Sequence, residues 1–458
     1  MLYALIRAIA GVALRWYYRD IQVEGVERIP RKGPLLLVVN HPNALVDAML
    51  VAWLMPRRVL LTAKSTLFVN PIANAFFKAV GVVPLYRTSD VARDGKPVDP
   101  ERNRSTFRAV VAALHRNRVV MIFPEGKSHD EPSLAPLKSG AARMALEATR
   151  SGATRLAIVP IGLTFERKEA PRTRVLVQVG EPVAMDAWHS ADGARVADAL
   201  TAEIDARLRA VTLNYASTDD AARAIRLASL IAVLFEDVPA IGVVDRQYGH
   251  EAAIARRIEE ISARLSHSTD AMRAQADQLV RRLDAVQRVA AKHGVMLEDV
   301  GISLGADRAA KFIAREGWLL LIGGPIALWG RINHWLPFRA ARAVAMRSIE
   351  SASDPAMRTL VAGASLVLLT YLLQTVAVGA VWGPVTTAIY LASLPIAADI
   401  NFYLSDRLER AARRARAFVL FKRDPGLQRR LSEELAALRA EVTEFDQALR
   451  DHETAESV

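Results

Sequence analysis

Apolar residues come in short runs along the first half of the chain and in long runs along the second. Runs at 35–39, 59–61, 119–123, 156–159 and 175–179 are short, rich in Val, Leu and Ile, and read as buried strands. Between them, 105–116 and 139–150 carry apolar residues at helical spacing. Strands alternating with helices predict an α/β domain with a mainly parallel sheet over 20–215, and 88–100, rich in Ser, Asp, Gly, Pro and charge, reads as a surface loop. From 219 to 310 the pattern turns helical: Ile254, Ile258, Ile261 and Leu265, then Leu279, Leu283 and Val286, predict a helical hairpin or antiparallel coiled pair.

The next stretch is long enough to cross a bilayer. Residues 360–378 are uncharged and apolar, and 379–398 repeat the pattern, interrupted at Gly383, Pro384 and Pro395. A spanning helix needs about 20 such residues, so 358–400 is predicted to be a transmembrane hairpin. The stretch 316–335, with Gly323-Gly324-Pro325 inside it, is shorter and is expected to be interfacial or re-entrant. The tail, 405–450, has Leu431, Leu435, Leu438, Val442, Phe445 and Leu449 at spacings of three and four and is expected to be a basic coiled helix. Residues 1–19 mix apolar side chains with Arg7, Arg15 and Trp16 and lack a small-residue cleavage site. They predict an amphipathic helix, lying on a membrane or docked on the domain.

Composition sharpens this picture. A chain of 458 residues is too long for one ordinary domain, and its 60 Lys plus Arg against 49 Asp plus Glu give a net charge of +11. Anionic partners follow. The cations cluster at the ends of the apolar stretch, Arg339, Arg342, Arg347 and Arg358 before it and Arg407, Arg410, Arg413, Arg414 and Arg416 after it. That arrangement suits lipid head groups and puts both ends of the hairpin in the cytoplasm; without interleaved aromatics it does not suit nucleic acid. Cysteine is absent, which excludes disulfides, thiolate nucleophiles and Cys-ligated metals. The helical modules offer a route to a homo-oligomer.

Two polar blocks directly follow strand-like runs: Asn40-His41-Pro42-Asn43-Ala44-Leu45-Val46-Asp47, and Phe123-Pro124-Glu125-Gly126-Lys127-Ser128-His129-Asp130. The carboxyl ends of parallel strands are where open α/β sheets bind ligands. An imidazole with a carboxylate about a turn and a half downstream can make a general base and its orienting group. Taken alone, a histidine before proline is more often structural, and Glu125 could serve only as a carboxylate on a helix dipole. Gly126-Lys127-Ser128 is not the end of a phosphate loop, since Met121 stands where that loop needs glycine. There is no Gly-x-Ser-x-Gly elbow, and neither His115 nor His129 has metal-ligand spacing.

In order along the chain, these blocks resemble the glycerolipid acyltransferase superfamily (the 1-acylglycerol-3-phosphate acyltransferase-like proteins). The nearest likeness is to the fungal-type glycerol-3-phosphate/dihydroxyacetone-phosphate acyltransferases and their bacterial relatives. His41 to Asp47 resembles the His…Asp block, Gly81-Val82-Val83-Pro84-Leu85-Tyr86-Arg87 the Gly…Arg block, Phe123-Pro124-Glu125-Gly126 the Phe-Pro-Glu-Gly block, and Val159-Pro160-Ile161 the apolar-Pro block. The likeness covers roughly 20–200. Five residues separate His41 from Asp47 where the superfamily usually has four, Pro84 stands where many members have Phe, and Lys127-Ser128 replaces the common Thr-Arg.

The resemblance implies acyl transfer from a thioester (acyl-CoA or acyl-ACP as co-substrate, with no cofactor or metal) to a hydroxyl of glycerol-3-phosphate. Two alternatives are a 1-acylglycerol-3-phosphate acceptor and an inactive membrane-anchored scaffold. It implies His41 as the base, Asp47 as its orienter, and Arg87, then Lys127, Lys138 and Lys64, as cations for the acceptor phosphate. Glu125 would bond an acceptor hydroxyl or orient those cations, with His129 behind it. Oxyanion donors are expected among backbone N–H groups after His41 or around Gly126. The expected place is a membrane, with the catalytic domain on the cytoplasmic face of a bacterial inner membrane.

Overall fold

A computed structural model describes residues 2–64, 74, 81–85, 100–188, 194–235, 247–265, 268–346 and 354–456. The chain divides into two compact units, 1–217 with 337–368, and 218–336 with 369–458.

The first unit is built on one sheet. Its strands are β1 (Asp20–Glu24), β2 (Leu35–Val39), β3 (Val59–Lys64), β4 (Val82–Leu85), β5 (Val119–Ile122), β6 (Ala157–Phe165), β7 (Arg174–Val179) and β8 (Val183–Ala184). The order is β1-β7-β6-β2-β5-β3-β4, with β8 beside β6. β2 lies between β5 and β6 and is parallel to both. The pairs β3–β5, β3–β4 and β1–β7 are also parallel, whereas β6 runs antiparallel to β7 and β8. The mainly parallel sheet expected from the alternating pattern is what forms. The apolar periodicity did not flag β1 and β4, and both lie at the ends of the strand order. An edge strand needs no continuous apolar run, and an edge also tolerates the missing N–H of Pro84.

Burial explains why β2 is Leu-Leu-Leu-Val-Val without a polar interruption. Leu35, Leu37 and Val39 face one core with Leu14 and Tyr17 of α1 (Leu2–Tyr17) and Val46 and Leu50 of α2 (Ala44–Leu54). Leu36 and Val38 face the other core, with Val110 and Leu114 of α3 (Pro100–His115), Ala141 and Ala145 of α4 (Gly140–Arg150), and Leu200 and Ile204 of α5 (Ala194–Arg209). A strand covered on both faces has no solvent side to be polar on. Each such side chain contributes about 1.5–3 kcal/mol on full burial.

The amino-terminal helix α1 docks on the domain. A Cβ at Gly11 would come within 2.3 Å of the Trp53 indole nitrogen, so the helix approaches α2 as closely as glycine allows. Arg7 donates to the Trp53 carbonyl from both Nε (3.1 Å) and Nη2 (2.9 Å). Leu2 and Leu5 are left exposed.

The second unit is helical. α6 (Thr218–Phe235) packs on α7 (Tyr248–Leu265), and α8 (Asp270–Lys292) packs on the tail helix α11 (Pro425–Glu456). Leu283 and Val286 of α8 share an apolar cluster with Leu431 and Leu438 of α11. Arg282 donates to Glu434 at 2.9 Å and is also paired with Glu441. The stretch 405–450 expected as one tail is divided between the end of a helix that stops at Arg423 and α11, which packs on α8 and also on α6.

Two long helices carry the apolar stretches: α9 (Ala306–Ala345, 40 residues) and α10 (Asp354–Arg423). Both contain windows long and apolar enough to cross a membrane. The 316–335 segment, expected as interfacial or re-entrant, lies inside α9, which runs unbroken through Gly323, Gly324 and Pro325. The chain does not loop back there, because the less apolar flanks on both sides continue the same helix. α10 breaks at Gly383 (φ 78°, ψ 177°), followed by Pro384. A Cβ at Gly379 would sit 3.2 Å from Thr387 Oγ1, so the chain turns sharply between the two arms. Left-handed glycine ends the first arm, and proline, which has no N–H to leave unpaired, opens the second. Asn333 of α9 binds both arms: its Oδ1 accepts from Gln374 Nε2 (3.2 Å) and from the Tyr390 hydroxyl (2.8 Å).

Candidate active site

Parallel register brings the two polar blocks together. β2 pairs with β5 from Leu35↔Val119 to Val38↔Ile122, so both strands leave the sheet at the same end and at nearly the same level. His41 and Glu125 each follow within three residues of their strand ends. On the other side, Val39 pairs with Ile161 of β6, and Asn40 continues the ladder with its side chain, taking the Leu163 N–H at 2.7 Å and donating to the Leu163 carbonyl at 3.0 Å. Asn40 therefore holds the strand's exit, and His41 comes next.

His41 Nδ1 lies 2.9 Å from Asp47 Oδ2, and Asp47 is completely buried in the first turns of α2. The same Oδ2 accepts the Asn43 N–H at 2.8 Å. With Asp47 ionised, Nδ1 carries the proton and donates it, which leaves the Nε2 lone pair able to accept a proton. Nε2 has no protein partner among the described residues, and the ring stacks on Phe123, centroids 3.8 Å apart and planes 13° apart. The five-residue spacing is accommodated before the helix settles: Ala44 takes φ 48°, and its N–H is held by Ser128 Oγ at 3.2 Å. A left-handed alanine is strained and persists only when its surroundings over-determine it, as these bonds do.

Burial pushes the Asp47 carboxyl up from its ordinary range; the hydrogen bond and charge of His41, the Asn43 N–H and the charge of Lys168 pull it back without cancelling the rise.

Glu125 is committed to the protein. Oε1 accepts the His41 N–H at 2.7 Å, and Oε2 accepts the Ala135 N–H at 2.9 Å and meets His129 Nε2. It is 3% exposed. Beside the two roles expected for it, bonding an acceptor hydroxyl or orienting phosphate-binding cations, these bonds give it a third: fixing the backbone of His41 and of the 129–135 loop. Several of the backbone donors expected for an oxyanion are taken within the protein. Gly126 N–H bonds the Phe123 carbonyl, Val46 N–H bonds the Asn43 carbonyl, and those of Asn43 and Ala44 are taken as above.

Residues 20–164 match the family model described as Acyltransferase. Residues 20–164 form an acyltransferase-family domain. Similar curated proteins include glycerol-3-phosphate O-acyltransferase 2 of Saccharomyces cerevisiae, 45% identical over 85 residues, which cover 18% of this chain and 11% of the yeast protein. A 1-acyl-sn-glycerol-3-phosphate acyltransferase of Cocos nucifera is 29% identical over 188 residues, covering 39% of this chain and 55% of the relative. Among solved structures, the 1-acyl-sn-glycerophosphate acyltransferase of Thermotoga maritima is 19% identical, covering 44% of this chain and 77% of that one with a TM-score of 0.33, too distant to carry geometry across. The chain spans between about a tenth and just over half of the two curated relatives' lengths.

Beside the dyad, the acyltransferase domain has a cavity of about 510 Å³ lined by Glu125, Gly126, Lys127, Ser133, Leu134 and Lys138 among others. His41 is not part of that lining; Glu125 connects the two. Lys127 and Lys138 are exposed at its edge. Gly126 has φ +76°, and a Cβ on it would meet Lys138 Nζ at 2.9 Å, so glycine lets that lysine lie over the turn. Lys64 ends β3, which is parallel to β5, and so belongs to the same end of the sheet; its side chain, and Arg87 altogether, lie outside the described residues. His115 Nε2 bonds Ser151 Oγ at 2.8 Å and has no part in the site.

Four residues of the domain's site escaped the sequence reading. Phe123, Asn43 and Ser128 lie inside the recognised blocks and could have been found by asking what flanks the dyad. Lys168 lies beyond the blocks, and no periodicity or motif signals it.

Proposed function

We propose that this chain is a membrane-bound O-acyltransferase that moves a fatty acyl group from an acyl thioester, of coenzyme A or acyl carrier protein, to a hydroxyl of glycerol-3-phosphate in phospholipid synthesis. The observation that carries this reading is the His41–Asp47 pair at the carboxyl end of β2, with Nε2 unpartnered among the described residues. As the acceptor oxygen attacks the thioester carbonyl, Nε2 takes its proton, and Asp47 stabilises the imidazolium through Nδ1–H. A C–O bond forms, the tetrahedral intermediate collapses, and the C–S bond breaks. The leaving thiolate then takes the proton from His41, and the ring returns to its starting state. No enzyme nucleophile is needed, in keeping with a site that offers an imidazole and no cysteine.

Lys127 and Lys138 at the cavity edge, with Arg87 and Lys64, are the cations that would meet the acceptor phosphate. The higher identity to the yeast glycerol-3-phosphate enzyme over 85 residues supports that acceptor. The longer match to the coconut protein favours a second reading in which 1-acylglycerol-3-phosphate is acylated to phosphatidic acid. The two helices able to cross a membrane, flanked by arginines, support placing the domain at the cytoplasmic face.

The test is product identification by mass spectrometry, using the purified full chain in vesicles with an acyl-CoA and each acceptor in turn. Turnover of glycerol-3-phosphate supports the leading reading, and turnover of the 1-acyl acceptor alone selects the second. Turnover of neither, with acyl-CoA or acyl-ACP, leaves the scaffold.

A further inference from the structure

Lys168 lies in the loop between β6 and β7 and touches both polar blocks. Its Nζ donates to the Pro42 carbonyl at 3.2 Å, to the His129 carbonyl at 3.3 Å and to Asp130 Oδ1 at 2.5 Å. Its own carbonyl accepts the Asn43 side-chain amide at 3.3 Å, and Asn43 is fully buried. One residue therefore ties the loop that carries the base to the loop that carries Glu125 and His129. We propose that Lys168 is a positioning residue for acyl transfer, a strap that fixes the His41–Asp47 pair against the Phe123–Asp130 turn. The inference rests on the acyltransferase reading above.

The ammonium chemistry distinguishes a strap from a substrate-binding cation. A lysine ammonium has three N–H donors, and here three protein oxygens lie within reach of them. Nothing is left over for a phosphate. Lys127 and Lys138 at the cavity edge differ in this respect, being exposed. The pull is toward main-chain carbonyls on either side of His41's entry point. Loss of the ammonium would free the Pro42 and His129 peptides from each other, although Ser128 and Glu125 still bridge the blocks. A near-attack geometry tolerates little looseness, and a 1 Å misplacement can cost about 10²-fold in rate.

Charge gives a second signature. The charged groups that act on Asp47 are His41 from its own loop and Lys168 from the β6–β7 loop, while the neutral Tyr18 hydroxyl of the α1–β1 link is itself raised by burial and in part by the Asp47 charge. Lys168 is among the groups that oppose the upward push of burial, so without it Asp47 holds its proton to higher pH.

Acyl transfer by the full chain is measured for wild type, Lys168→Met and Lys168→Arg across pH. The Met variant is expected to lower kcat by about 10²-fold with the acceptor KM unchanged, the signature of an interaction realised in the transition state. The acidic limb of its pH profile should move upward, and Arg should restore part of the rate and return the limb. If the Met variant fails to fold, Lys168→Gln, which keeps a donor but drops the charge, should still move the limb. Unchanged kcat and limb would overturn the proposal. So would a raised KM at constant kcat, which would make Lys168 a phosphate ligand. Carboxyl-carbon NMR of Asp47 gives a readout independent of turnover. Should wild type transfer no acyl group, the functional reading falls, and the strap is judged on whether Asp47 titrates higher in the Met variant.

Discussion

β2 and the apolar arms of α10 are chemically alike and live in opposite surroundings. All five residues of β2 are 0% exposed, whereas Leu372, Val376 and Val385 on the arms are 61%, 63% and 73% exposed. The strand finds its apolar partners in helices on both faces of the sheet. The arms present a comparable density of Leu and Val to a space that no described protein element fills. A long uncharged run that is exposed on this scale calls for a solvent as apolar as itself, and lipid is that solvent. Hydropathy thus says that a segment must leave water, and run length says whether protein or bilayer receives it.

The sharpest way to test the separation is to disable chemistry in the first region and leave the second untouched. His41→Ala is expected to lower acyl transfer by about 10²–10⁴-fold, with membrane retention and melting temperature unchanged. Unaltered turnover in a radiolabelled thioester assay would remove the base from the mechanism.

Burial itself can be compared by paired truncations. Leu37→Ala in β2 should destabilise the domain by about 2–5 kcal/mol, read by denaturant unfolding in detergent. Leu372→Ala on the outer face of the arm should stay within about 0.5 kcal/mol. Equal costs would mean that the arm is covered by protein.

A charge reverses the ranking. Leu369→Arg, at an exposed position near the middle of the first arm, buries nothing in the protein, yet a bilayer centre costs about 2.5–3.5 kcal/mol for an arginine on the insertion scale. Reduced membrane insertion, seen in a protease-protection or carbonate-extraction experiment, is the expected result. Full retention would place that face in water.

The smallest effect tests what the active site does to stability. Burial raises Asp47 in the folded state. A raised carboxyl contributes stability that is complete below its unfolded value, about pH 3.9, and is lost as pH rises through the folded value. Asp47→Asn removes that loss, because the amide does not titrate. Its melting temperature relative to wild type should therefore climb as pH rises from about 4 toward neutrality, while transfer activity falls. A difference that stays flat with pH would mean that Asp47 titrates normally.

Much of the fold was legible because buried strands and amphipathic helices impose period and run length on the sequence. The five apolar runs became strands, and the tail repeat became a helix. β1 and β4 were not legible as strands, since edge strands need no unbroken apolar run. At 316–335, counting only the most apolar core missed that the less apolar flanks join the same helix. His41, Asp47 and the Phe-Pro-Glu-Gly block were readable because they are contiguous motifs beside strand ends. The bond from the His41 N–H to Glu125 was not, because it depends on which strands become neighbours.

By itself the sequence determined that the first part is an α/β sheet with two polar blocks after its strands, and that the second carries long apolar helices. Those are local properties, written in the spacing and length of apolar runs. The tertiary structure decided the rest. The parallel register of β2 with β5 and β6 sets His41 over Phe123, turns Glu125 inward to hold a backbone N–H, and brings Lys168 across from a loop more than a hundred residues away. Contacts of that range depend on strand order, which no local pattern records.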